Sequence, residues 1–122
     1  MEKYKWLDDY LMKQPGTERV FQPEWQAERY LLKGKMYAYT GIHDPSGRPI
    51  VTLKLEPAYS DMLRREHTDI TPGYYMNKTH WSTVYLDGKV PQALVAEMAA
   101  AAYRTLFATL SKKAQKELET QA

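Results

Sequence analysis

The sequence predicts an α+β fold: a two-layer sandwich in which an antiparallel sheet carries helices mainly on one face. Three observations lead to it. An amphipathic stretch opens the chain, short extended segments divided by turn residues fill its middle, and a long apolar helix closes it.

In residues 2–13, Tyr4, Leu7 and Leu11 recur at i, i+3 and i+7, the spacing of one helix face, and Pro15-Gly16 ends the run. Extended segments follow at 17–21, 28–33, 35–42 and 49–55. Gly34 stands where a tight turn between the second and third needs it, and Asp44-Pro45-Ser46-Gly47 marks the next turn. Pro57 sits in the first turn of a helix over 57–67, where Tyr59, Met62, Leu63 and Glu66 share a face and Arg64 points away from it. Thr71-Pro72-Gly73 breaks the chain again. A strand over 80–86 closes on Asp87-Gly88. Pro91 then opens the long helix, with Leu94, Met98, Ala102, Leu106 and Leu110 four residues apart. Residues 111–122 read as a charged tail that continues this helix and frays. The order is helix, three or four strands, helix, one or two strands, helix.

At 122 residues the chain is expected to form a single domain spanning 1–122. Apolar residues make up 43% and charged residues 26%, an ordinary globular composition. With no cysteine, disulfides, thiolate zinc sites, iron–sulfur clusters and cysteine nucleophiles are excluded. No apolar run approaches the ~20 residues of a membrane helix, and the opening MEKYKWLDDY does not read as a secretory leader. The expected location is cytoplasmic, without a membrane partner. The formal net charge of +2 is far from a strongly basic module, and its excess is local: residues 25–54 carry +3, from Arg29, Lys33, Lys35, Arg48 and Lys54 against Glu28 and Asp44.

Strand alternation sorts the side chains. In 80–86, Val84 and Leu86 oppose Trp81, Thr83 and Tyr85; in 50–55, Val51, Leu53 and Leu55 oppose Thr52 and Lys54; in 35–42, Met36, Ala38 and Ile42 oppose Tyr37 and Tyr39. Aliphatic residues thus claim one face, and rings, threonines and a lysine the other. Two readings of the ring-rich face stand open. It is a contact platform, with rings stacking on bases or a partner and Lys/Arg holding phosphates. Alternatively it is covered, by a terminal helix or a second subunit.

Catalytic signals are weak. His43, His67 and His80 lack the partner spacing of a metal site, so no metal is expected. His80 and Ser82 share a strand face, but no oxyanion loop or orienting acid accompanies them. There is no phosphate-binding glycine loop. The expectation is a protein without enzymatic activity or cofactor. One constellation stands apart: Asn77-Lys78-Thr79-His80-Trp81 could bind an anion at a strand entrance, or Asn77 and His80 could tie down the preceding loop while Trp81 packs.

Around these residues, Thr71-Pro-Gly-Tyr-Tyr-Met-Asn-Lys-Thr-His-Trp-Ser-Thr-Val-Tyr-Leu-Asp-Gly88 resembles the most specific block of the MmcQ/YjbR family of small bacterial proteins. Lys13-Gln-Pro-Gly16, Gly34-Lys-Met-Tyr37, Leu53-Lys-Leu-Glu-Pro57 and the helix after Pro91 support the likeness along nearly the whole chain. It departs at Tyr75, where the family often has His, and at Ala102, where Ser often precedes the helix tyrosine, here Tyr103. The resemblance implies a CyaY-like or secretion chaperone-like fold ordered α-β(3)-α-β(2)-α, and a DNA-binding role. On that role, Lys54, Lys78 and Arg64 neutralise phosphates, while Trp81, Tyr37 and Tyr39, with His80 beside them, contact sugar or base. The alternative is an interaction module that docks another protein or a second copy on the same face.

Overall fold

Proline and glycine divide the chain where expected, and the segments between them pair in order. The computed structural model describes residues 2–43, 45–73 and 76–120; Asp44 of the predicted turn and Tyr75 of the family block lie outside them. After a single 3-10 turn comes α1 (Lys5–Met12), then β1 (Thr17–Gln22), β2 (Ala27–Leu32), β3 (Lys35–His43) and β4 (Arg48–Lys54). Next are α2 (Pro57–Glu66), β5 (Ile70–Pro72), β6 (Trp81–Tyr85), α3 (Gln92–Phe107) and α4 (Lys112–Glu119). Six strands form one antiparallel sheet in the order β1-β2-β3-β4-β6-β5. The α+β class holds, with four strands rather than three ahead of α2. Lys33 and Gly34, at φ of 50° and 80°, make the two-residue turn joining β2 to β3, a conformation in which glycine carries no Cβ penalty.

All four helices lie on one face. Leu7 and Leu11 of α1, Leu63 of α2, Met98, Ala99, Ala102 and Leu106 of α3, and Leu118 of α4 join one cluster with Tyr30, Leu32, Val51, Leu53 and Val84 of the sheet. Ala99 and Ala102, both fully buried, keep α3 slim against the strands.

The tail departs from expectation. It does not run on from α3 but restarts as α4, capped by the Ser111 hydroxyl, which accepts from the Ala114 N–H at 3.1 Å. Leu118, 2% exposed, docks it into the core instead of letting it fray.

A second departure is a bulge. Tyr30 pairs with Ala38 but Leu31 pairs with Met36, so Tyr37 has no counterpart on β2. The extra residue reverses the alternation upstream. Tyr37 and Ala38 both enter the helix-side core, while Met36 joins Tyr39 on the opposite side.

Candidate functional site

β4 and β6 pair with Thr52 opposite Thr83 and Lys54 opposite Trp81, an uninterrupted register that holds the predicted alternation. Their outer sides, away from the helices, carry Ile50, Thr52, Lys54, Trp81, Thr83 and Tyr85. β3 adds Tyr39 and Met36, and β2 adds Ala27 and Arg29. A small second core of Ala27, Tyr39 and Ile50, flanked by Met36, Met76 and Tyr85, occupies this face.

The face exists, but its rings are not free. Tyr39 is 6% exposed and Trp81 7%, and Thr52 and Thr83 are sealed, sharing a hydroxyl hydrogen bond of 2.7 Å. Trp25, from the turn between β1 and β2, lies over Tyr39 with ring centres 5.6 Å apart. Gly73 N–H donates to the Trp81 carbonyl at 2.7 Å, and a Cβ at residue 73 would stand 2.6 Å from that of Trp81. Only glycine lets the incoming chain lie this close on β6. At the far end, Arg48 sits 4.1 Å over the Tyr85 ring while pairing with Asp69 and Asp87, and His43 meets Tyr85 edge-on.

Tyr37 is a correction. The bulge turns it into the helix-side core, fully buried; its hydroxyl meets that of Thr17 at 2.8 Å, and burial pushes its pKa up to about 12. It can contact no ligand on the outer face. Tyr39 and Trp81 keep the predicted side, but packing takes the area that base stacking would need.

The cationic residues fare better. Leu55 N–H donates to the His80 carbonyl at 2.8 Å, closing the end of β4 onto the 77–80 turn, so Lys54, Lys78, His80 and Trp81 share one corner of the sheet. Asn77 Oδ1 accepts from the Thr79 and His80 N–H groups at 2.9 and 3.4 Å, so its side chain closes its own 77–80 turn. Arg64 does not point away into solvent. Its Nε donates to Ser82 Oγ at 3.1 Å, and its Nη2 donates to the carbonyls of Lys78 and Trp81, each at 2.7 Å. Arg64 therefore braces the corner and has little left for a phosphate. Lys78 and His80 are exposed and Lys54 half-buried, and neither lysine has a carboxylate within ion-pair distance among the described residues.

The hydrolase-like pairing dissolves as well. Ser82 is fully buried, donating to Ser60 at 3.1 Å and accepting from Arg64, while His80 lies exposed in the turn. Among the described residues, no group of three or more His, Asp or Glu is placed to hold a metal ion. No described helix is long and apolar enough to cross a membrane.

Sequence reasoning missed a polar cluster on the helix side. Asp8 of α1 accepts from Tyr30 at 2.6 Å and from Arg19 at 2.7 and 2.9 Å. Three consecutive elements, α1, β1 and β2, meet there through their packing, so no single segment's pattern could have signalled it.

The family model for YjbR matches residues 12–105. The chain belongs to the YjbR family. The uncharacterized protein YjbR of Escherichia coli (strain K12) is 33% identical over 112 residues, 92% of this chain and 93% of that one. The uncharacterized protein YbdF of Escherichia coli O157:H7 is 29% identical over 80% of this chain and 77% of its own length. Among solved structures, the Deinococcus radiodurans protein DR2400, described as carrying a DUF419 domain, superposes with a TM-score of 0.82 at 32% identity, covering 93% of this chain and 85% of that one. A Pseudomonas syringae protein matches with a TM-score of 0.67 at 25% identity, covering 83% and 96%. The YjbR match includes the whole outer face and the 77–80 corner.

Proposed function

We propose that this YjbR-family protein is a non-enzymatic DNA-binding protein that grips the phosphate backbone at the corner formed by Lys54, Lys78 and His80. The observation supporting this reading is that both lysines meet at one corner of the sheet, beside the exposed His80, with no carboxylate within ion-pair distance among the described residues. Arg64 positions the corner through the Lys78 and Trp81 carbonyls, and the buried rings stiffen the sheet beneath it. Contact is to phosphate rather than base, so sequence preference is weak.

Titration of duplex DNA over a salt series tests the reading. Affinity falls as salt rises, and Lys54→Ala with Lys78→Ala lowers it for all sequences alike, with each lysine removed reducing the log–log salt slope by about 1. Absence of binding at low salt, or a double variant that binds as the parent does, overturns it.

A second reading, docking of a second copy on the outer face, is favoured by Val20 and Trp25, which are 39% and 41% exposed at its β1 margin. Light scattering on the same samples separates the two: a concentration-independent dimer without DNA affinity selects the second.

A further inference from the structure

At the opposite corner from Lys78, on the helix side, α1 stops short of covering the sheet and leaves a cleft of about 510 Å³. The sheet lines it with Phe21, Glu28, Tyr30, Thr40 and Ile42, and Tyr4 and Lys5 line it from the start of the chain. Phe21 is 55% exposed and Ile42 48%, the two most exposed of the large apolar side chains described. An open cleft with aromatic and aliphatic walls is the ordinary form of a small-ligand site.

The charges in the cleft decide what it would accept. Arg19 is held by both oxygens of Asp8, and Lys5 by Asp9, so the two cations at the cleft are already neutralised. Asp8 also accepts from the Tyr30 hydroxyl. Glu28, half-buried in the cleft, feels Arg19 at longer range, but neither it nor Glu2 has an ion-pair partner within 4 Å among the described residues, and with Asp8 and Asp9 the carboxylates outnumber the two cations. The charge in excess is negative, in a cleft that Tyr4 and Phe21 also line. Carboxylate and aromatic faces together attract a cation on an apolar body and repel an anion.

We propose that this cleft binds an organic cation, an ammonium or guanidinium group on an apolar stem, with Glu28 opposite the charge and Phe21 against the stem. The group comes from a free amine or from the Lys or Arg side chain of a partner protein. This site is separate from the phosphate-gripping corner and stands or falls without it.

The experiment follows the amide signals of the cleft residues by NMR in the intact chain. The probes are phenethylammonium, phenylacetate as its anionic counterpart, and a short extended peptide with one Lys beside a Phe. Phenethylammonium moves the signals of Phe21, Tyr30, Thr40 and Ile42 and phenylacetate does not. Glu28→Gln weakens binding about fivefold, the size of one partly screened charge contact. Phe21→Ala, at an exposed position that leaves the fold intact, weakens it as well. Shifts with the peptide alone assign the cation to a partner's side chain; shifts with both assign it to free amines also. No shift with either cation, equal binding of phenylacetate, or a Glu28→Gln variant with parental affinity overturns the proposal.

Discussion

On the helix side of the sheet, Val51, Leu53 and Val84 are sealed in the core shared with the helix layer, α3 lying against β4; on the outer side, Thr52, Thr83 and Trp81 of the same two strands reach 0%, 1% and 7% exposure among strand, turn and loop residues. The helix side does this with aliphatic bulk under a second layer. The outer side does it with rings and hydroxyls that satisfy one another, the Thr52–Thr83 bond among them, under short flanking segments such as Met76 and the Trp25 turn. A row of amphipathic rings on alternate positions therefore identifies a face without saying that the face is accessible. Polar partners within the sheet allow burial with no helix above.

The comparison predicts that the two sides are nearly equal in stability. Leu53→Ala, at 0% exposure, removes a core side chain and costs about 3 kcal/mol, and Trp81→Ala costs a similar amount if the outer layer is a true core. Chemical denaturation of the two variants measures both. A Trp81→Ala cost within a few tenths of a kcal/mol of zero would return the outer side to a loosely covered platform.

A smaller effect is expected at the hydroxyl pair. Thr52→Val keeps the shape but removes the bond to Thr83, and it costs about 1 kcal/mol in the same denaturation measurement. A neutral result would mean that ring packing alone seals the outer layer.

The smallest effect is a pH dependence, and it belongs to the helix side. Burial acts to raise the Asp8 carboxyl, but the hydrogen bonds from Tyr30 and Arg19 prevail and hold it below the usual carboxylate value. A carboxylate depressed by folding contributes stability above its unfolded pKa and loses it as pH falls through the folded one. The stability gap between the parent and Asp8→Asn therefore narrows on acidification below about pH 4, read by thermal unfolding across a pH series. The outer layer, held by hydroxyls, shows no matching acid limb at Thr52→Val.

Where strands pair without interruption, the sequence was a sufficient guide. Val51, Leu53 and Val84 against Thr52, Lys54, Trp81 and Thr83 follow from alternation alone, and the antiparallel pairing of β4 with β6 keeps them so. Met36 and Tyr37 misled because both tolerate either side, and a one-residue bulge leaves no compositional mark. Arg64 misled for a related reason. In a ten-residue helix, Tyr59, Met62 and Leu63 leave the helical phase loose; the structure buries Ser60 and Leu63, leaves Met62 44% exposed, and so swings Arg64 toward β6. The restart at α4 was missed: residues 111–122 read as a fraying continuation of the long helix, although Ser111 ahead of Lys112-Lys113-Ala114 is a helix start and Leu118 is an apolar residue among charges. Neither the Asp8–Arg19–Tyr30 meeting nor the cleft beside it could be read, because each depends on strand register rather than on any segment's own pattern.

Arg64 links α2 to the backbone of residues 78 and 81 and, through Ser82, to the buried Ser60. The lysine-bearing turn is thereby an outgrowth of the helix layer, bolted through the sheet's end rather than hung from its edge. Any force applied to that turn is carried straight into the protein's interior.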